Sequence, residues 1–136
     1  MGTYMLDTTT LSDLMREHPQ VEARIARLSP PDRVCINTIV RGEVRYGLAR
    51  MAQGRKRRNL EAKANQLFAV LPCESIPEAA GDHYGHIKRD AEIRGTRLDE
   101  NDLWIAATAL AFDVILVARD SDFQRVRGLQ VENWTQ

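Results

Sequence analysis

Apolar and polar positions fall in blocks whose period changes along the chain. Thr3-Tyr4-Met5-Leu6 is a short apolar run that stops at Asp7, and Thr8-Thr9-Thr10-Leu11-Ser12 then leads into an amphipathic stretch ending at His18-Pro19. This pattern reads as strand, turn and helix. Val21, Ile25 and Leu28 share one face of a second helix, which Ser29-Pro30-Pro31-Asp32 breaks before Val34-Cys35-Ile36, a candidate buried strand. Thr38 can cap a helix running to about residue 51, with Val40, Val44, Leu48 and Met51 as its stripe. Gly54 ends that helix, Leu60, Ala64, Leu67 and Leu71 mark the next, and Pro72 closes it. A short strand around residues 74–76 follows, and Pro77 opens a helical tract through Tyr84, Ile87, Ala91 and Ile93 to Gly95.

The last third carries the strongest signal. Residues 99–112 read as a helix that is apolar nearly all round, and Val114-Ile115-Leu116-Val117 as a strand without polar alternation, so burial is expected for both. Residues 122–127 make a turn or short helix, and residues 129–134 alternate as an edge strand would. Strands alternating with helices within 136 residues predict one α/β domain spanning the chain, a three-layer α/β/α arrangement with a mostly parallel central sheet.

Composition narrows the function. With 19 Lys+Arg against 19 Asp+Glu the formal charge is zero, which excludes a globally basic nucleic-acid binder, so any polyanion must be held locally. The basic residues concentrate at Arg41, Arg45, Arg50, Arg55, Lys56, Arg57, Arg58 and Lys63, opposed in that segment only by Glu43 and Glu61. That stretch can grip phosphates or simply face water. Cys35 and Cys73 form neither a disulfide framework nor a metal knuckle, and the first residues lack a signal-peptide pattern, so a reducing cytoplasm is expected. The longest apolar stretch, residues 103–118, is interrupted by Asp113 and falls short of the roughly 20 residues of a spanning helix, so no membrane association is expected. The chain has no phosphate-binding glycine loop and no nucleophile elbow.

The polar residues at the carboxyl ends of the expected strands are mostly acidic. Asp7 follows the first strand, and Asp120 and Asp122 follow residues 114–118 with Arg119 between. Glu43 borders the apolar stripe of its helix, and Asp102 lies in a helix that buries almost all its neighbours, where an ionised carboxylate needs a partner or a metal. Clustered carboxylates call for a hard divalent cation, Mg²⁺ or Mn²⁺, and such an ion suits phosphodiester hydrolysis without a His or Ser nucleophile. Taken singly, each acid has a plainer reading. Asp7 and Asp99 can cap helices, Glu43 can pair with Arg50, and Asp120 or Asp122 can be a turn residue.

Met5-Leu6-Asp7-Thr8 with Leu11-Ser12, Ile39-Val40-Arg41-Gly42-Glu43-Val44, Asn101-Asp102-Leu103-Trp104-Ile105-Ala106-Ala107, and the closing Val126-Arg127-Gly128-Leu129-Gln130-Val131-Glu132-Asn133-Trp134 stand in one order along the chain. Together they resemble the PIN-domain ribonucleases of the VapC toxin type. The resemblance implies a Mg²⁺- or Mn²⁺-dependent endoribonuclease, acting on structured RNA such as tRNA or rRNA and silenced by a cognate VapB-type antitoxin. It implies catalytic roles for Asp7, Glu43, Asp102 and Asp120, with Asp7, Asp102, Asp120 and Asp122 as metal ligands. Thr8, Arg119, Arg41 and Arg45 are then expected at the RNA. A homodimer within a larger toxin–antitoxin complex is implied as well, using the first two helices and the Glu43 helix. Two positions depart from the family pattern: Thr9 replaces the usual Asn, and Asp99 stands where many relatives have Gly. The alternatives are a PIN-like module that binds RNA or antitoxin without cutting, which Thr9 keeps open, and a phosphoaspartyl enzyme built on Asp7, which lacks its second acid at Thr9.

Overall fold

In the computed structural model, which describes residues 2–136, every strand pairing is parallel. The chain runs β1 (Thr3–Leu6), α1 (Thr8–Met15), α2 (Pro19–Ala26), β2 (Arg33–Asn37), α3 (Thr38–Arg50), α4 (Arg55–Val70), β3 (Cys73–Glu74), α5 (Glu78–Arg94), α6 (Glu100–Phe112), β4 (Ile115–Val117) and β5 (Val131–Glu132). A 3-10 turn of helix at Ser121–Arg125 lies between the last two strands. The sheet order is β3-β2-β1-β4-β5, with helices covering both faces, so the expected α/β/α sandwich is the one observed.

β1 sits at the centre, where Met5 and Leu6 are fully buried between β2 and β4. Position explains the sequence: a strand flanked on both edges and covered on both faces has no solvent side, so it needs no polar alternation. The chain turns back to β2 on one side of β1 and later returns to β4 on the other. The sheet therefore reverses its order at the β1/β4 boundary, and the loops after those two strands diverge to open a crevice. The core is continued by Val40, Val44 and Leu48 of α3 and by Leu103, Ile105, Ala106 and Ala109 of α6. α5 and α6 are packed together along their lengths, and Tyr84 stacks on Trp104 with ring centroids 4.1 Å apart.

Local chemistry moved several boundaries. α2 begins at Pro19, whose fixed φ suits a first helical position, and His18 caps it. Asn37, not Thr38, caps α3; its Oδ1 accepts from Val40 N at 3.0 Å, while Nδ2 reaches Met5 S at 3.4 Å. β3 falls one residue earlier than the expected 74–76 strand and spans only Cys73–Glu74. The alternation over residues 129–134 resolves into a two-residue edge strand, and Trp134 tucks against Tyr4, with Nε1 donating to Glu132 at 3.0 Å.

Candidate active site

Asp7 leaves β1 at the crevice. Its backbone N–H donates to Val117 O at 3.0 Å, which ties the end of β1 to the end of β4. Its side chain caps α1, Oδ1 accepting from Thr10 N at 2.8 Å, and Thr10 Oγ1 in turn donates to Val117 O at 3.0 Å. Capping and siting at the rim are thus the same act. Burial pushes the Asp7 carboxyl up to about 6 against the pull of the Thr10 hydrogen bonds; the nearby Asp13 adds to the rise and Arg119 opposes it.

Asp102 stands in the first turn of α6 and is half-buried. Burial pushes its carboxyl up to about 7, and the negative charges of Asp99, Glu43, Asp7 and Asp120 add to the rise. Of the acids expected to form one site, Asp7, Glu43 and Asp120, from the end of β1, from α3 and from beyond β4, thus lie near enough to Asp102 for their charges to be felt there. Glu43 is oriented from two sides: Thr8 Oγ1 donates to Oε1 in a short hydrogen bond, and Asn101 Nδ2 donates to Oε2 at 3.0 Å. It does not pair with Arg50, which lies over the Tyr46 ring. Asp120 caps the 3-10 turn, Oδ1 accepting from Asp122 N at 2.9 Å, and Asp122 pairs with Arg125 at 3.6 Å.

Asp99, Asp102, Asp120 and Asp122 line one cleft of about 420 Å³. Glu100 also faces it, but Tyr84 OH and Lys88 Nζ already occupy its carboxylate, the latter at 3.0 Å. The Asp99 side chain makes no capping hydrogen bond; its charge serves to raise Asp102 instead.

The donor set is entirely oxygen, and the cleft lining has Asp99, Glu100, Asp102, Asp120 and Asp122 against one basic residue, Arg97, an arrangement that fits a hard cation. Among the described residues no three His, Cys, Asp or Glu side chains converge closely enough to enclose an ion by themselves. Carboxylates spaced this way leave coordination positions for water, as Mg²⁺ prefers.

Thr8 serves Glu43 rather than open solvent. Arg119 does reach the rim, where it pairs with Asp13 at 3.4 Å. Arg41 and Arg45 do not: both guanidinium groups lie over the Phe68 ring of α4, 4.5 and 4.8 Å from its centroid. At about 100° per residue they occupy the side of α3 opposite Glu43. Thr10 and Asp13 were not singled out in the sequence. Thr10 had a signal, because it lies three residues after a capping Asp, where the capping hydrogen bond lands. Asp13 follows Thr10 by one further helical turn and so shares its face.

The family model for the PIN domain matches residues 4–129. Ribonuclease VapC1 of Haemophilus influenzae (strain R2866) is 31% identical over 135 residues, covering 97% of this chain and 98% of the relative. The crystal structure of VapBC2 from Rickettsia felis, bound to a DNA fragment from its promoter, aligns with a TM-score of 0.87 at 26% identity, over 97% of this chain and 98% of that one. The structure of VapBC-1 from nontypeable Haemophilus influenzae aligns with a TM-score of 0.85 at 29% identity, over 98% and 99%. The chain belongs to the PIN-domain family, in its VapC ribonuclease group.

Proposed function

We propose that this protein is the toxin of a VapBC-type toxin–antitoxin pair, an endoribonuclease that hydrolyses phosphodiester bonds in structured RNA such as tRNA or rRNA with Mg²⁺ or Mn²⁺. One observation carries the reading: Asp99, Asp102, Asp120 and Asp122 line one cleft, where burial and the charges of its acidic neighbours push the Asp102 carboxyl up to about 7, so a cation would favour its ionised form. Asp7, Asp102 and Asp120 would hold that ion, directly or through water, with Asp122 beside them. When bound, the ion supplies an activated water and stabilises the leaving oxygen. Glu43, fixed by Thr8 and Asn101, is positioned to accept a proton from the attacking water. Arg119 would meet the RNA backbone at the rim, whereas Arg41 and Arg45 could touch only a chain extending well beyond the cleft.

A partner surface adjoins the site. Between α1, α3 and α4 runs a groove of about 330 Å³ whose walls include Ser12, Met15, Val44, Leu48 and Leu60, and which ends at Thr8 and Glu43. Apolar walls that lead to Glu43, with Arg16 and Arg50 also lining the groove, suit an amphipathic antitoxin segment that blocks the site as it binds. Pairing of two protomers belongs to the same reading.

The test is incubation of antitoxin-free protein with total bacterial RNA in Mg²⁺, in Mn²⁺ and in EDTA, beside Asp7→Asn and Asp102→Asn, with mapping of new RNA ends. Discrete cuts that need both metal and carboxylates are expected. RNA binding without cleavage in either metal would favour the non-cutting module.

A further inference from the structure

Asp13 is a carboxylate that no step of the chemistry above uses, although its charge adds to the rise of Asp7. It lies on α1 and is 9% exposed, and its Oδ2 has no hydrogen-bond partner. An acid so enclosed is normally satisfied by several donors. Here the other oxygen, Oδ1, faces a single cation, Arg119 at 3.4 Å. The two residues are 106 positions apart in the sequence numbering, one on the first helix and one just past β4. The face of α1 that carries Asp13 also carries Thr10, which is bonded to Val117 O two residues before Arg119.

Arg119 is half-exposed and stands beside a set of carboxylates that act together on Asp102. A guanidinium at that rim is also attracted by those acids, Asp7 among them. The buried Asp13 carboxylate, carried on the first helix, holds Arg119 at 3.4 Å, and both residues lie near enough to Asp7 for their charges to act on it.

We propose that Asp13 is a positioning residue that tethers Arg119 at the rim of the cleft, so that the guanidinium is presented to an RNA phosphate instead of collapsing onto the metal-binding carboxylates. This rests on the RNA-cleaving reading of the cleft, and it adds the residue that orients the phosphate-gripping arginine.

The test uses a fluorescein-labelled 20-nucleotide RNA of mixed sequence and measures anisotropy in EDTA at several salt concentrations. The proteins are the wild type, Arg119→Gln, Asp13→Asn, Asp13→Glu and the double variant Asp13→Asn/Arg119→Gln. Loss of one phosphate contact lowers the slope of log affinity against log salt by about 0.7 on single-stranded RNA. Arg119→Gln is expected to weaken binding several-fold with that loss of slope. Asp13→Asn should reproduce both changes, the double variant should bind no worse than Arg119→Gln alone, and Asp13→Glu should recover part of the loss. A merely structural Asp13 would lower the melting temperature without moving the salt slope.

Additive losses in the double variant, an unchanged salt slope in Asp13→Asn, or no RNA binding by the wild type would each overturn the proposal. If Asp13→Asn does not fold, Arg119→Gln decides. It lies at a half-exposed position, so it should fold, and a tether requires it to lower the melting temperature by stranding a buried charge. An unchanged melting temperature would overturn the tether. Binding that follows the expected pattern without cleavage in Mg²⁺ or Mn²⁺ would remove the ribonuclease and leave the tether standing.

Discussion

At Asp102 two costs coincide, partial removal from water and the repulsion of four like charges, and both favour the protonated acid. Asp7 carries the first cost more heavily. Because both folded-state values, about 7 and about 6, lie above the ordinary 3.8, the folded protein binds more protons than the unfolded chain between those limits. The contribution of this pair to stability is therefore fully present below about pH 3.8 and is lost as pH rises through about 6 to 7. Thermal unfolding in EDTA should show that loss between about pH 4 and pH 7 and a levelling above it, with added Mg²⁺ restoring more stability at pH 8 than at pH 5. Asp102→Asn should flatten the pH dependence and raise metal-free stability at pH 8. It should also reduce RNA cleavage by more than the roughly 10–100-fold that loss of an outer partner costs. Asn101→Ala, which frees one oxygen of Glu43, should fall within that smaller range while the melting temperature moves little.

Among the elements, helix ends decide where the chemistry sits. Asp7 begins α1 at the end of β1, Asn37 begins α3 at the end of β2, and Asp120 begins the 3-10 turn after β4. Each cap fixes the helix that follows it relative to the rim. Removing the buried Asn37 cap with Asn37→Ala should cost about 1 to 2 kcal/mol in denaturant unfolding, and it should disturb Glu43 on the second turn of the same helix. At the other end of α6, Asp113 adopts φ 55°, a left-handed conformation that suits glycine, and places a negative charge at a helix C-terminus. Both features are unfavourable there, so Asp113→Gly should stabilise the protein by roughly 0.5–1 kcal/mol without changing activity. The caps also explain why the boundaries were only partly legible. Thr38 and Asn37 both have capping side chains, and only the backbone extended at Asn37 selects between them.

Over the whole molecule the sheet order places the acids. The reversal between β1 and β4 brings the start and the end of the chain together, so that Asp7 is bonded to Val117 and feels the charge of Arg119. Binding of a divalent ion to the folded state alone should raise the unfolding free energy by about 2.7 kcal/mol at a hundred times its Kd, an effect that Asp102→Asn should largely remove. The distribution of basic charge also becomes clear only at this scale. The cationic run that looks continuous in sequence is split by helical geometry. Arg41 and Arg45 rest on Phe68, and Arg57 is turned inward to Glu61 at 3.2 Å and to the Met51 carbonyl at 3.1 Å.

By itself the sequence determined the alternation of strands and helices, the buried nature of β4 and α6, and which acids stand at strand ends or beside an apolar stripe. Those properties follow from the local periods of 2 and 3.6 residues and from turn chemistry, which need no knowledge of distant neighbours. Its pattern of motifs also pointed to the PIN-domain family. Only the tertiary structure decided the strand order, the holding of Glu43 by Asn101, the stacking of Arg41 and Arg45 away from the cleft, and the burial of Asp13 against Arg119. Each is a choice of partner across tens of residues, and a side chain's partner is set by which elements pack together, a long-range outcome that local periodicity does not encode.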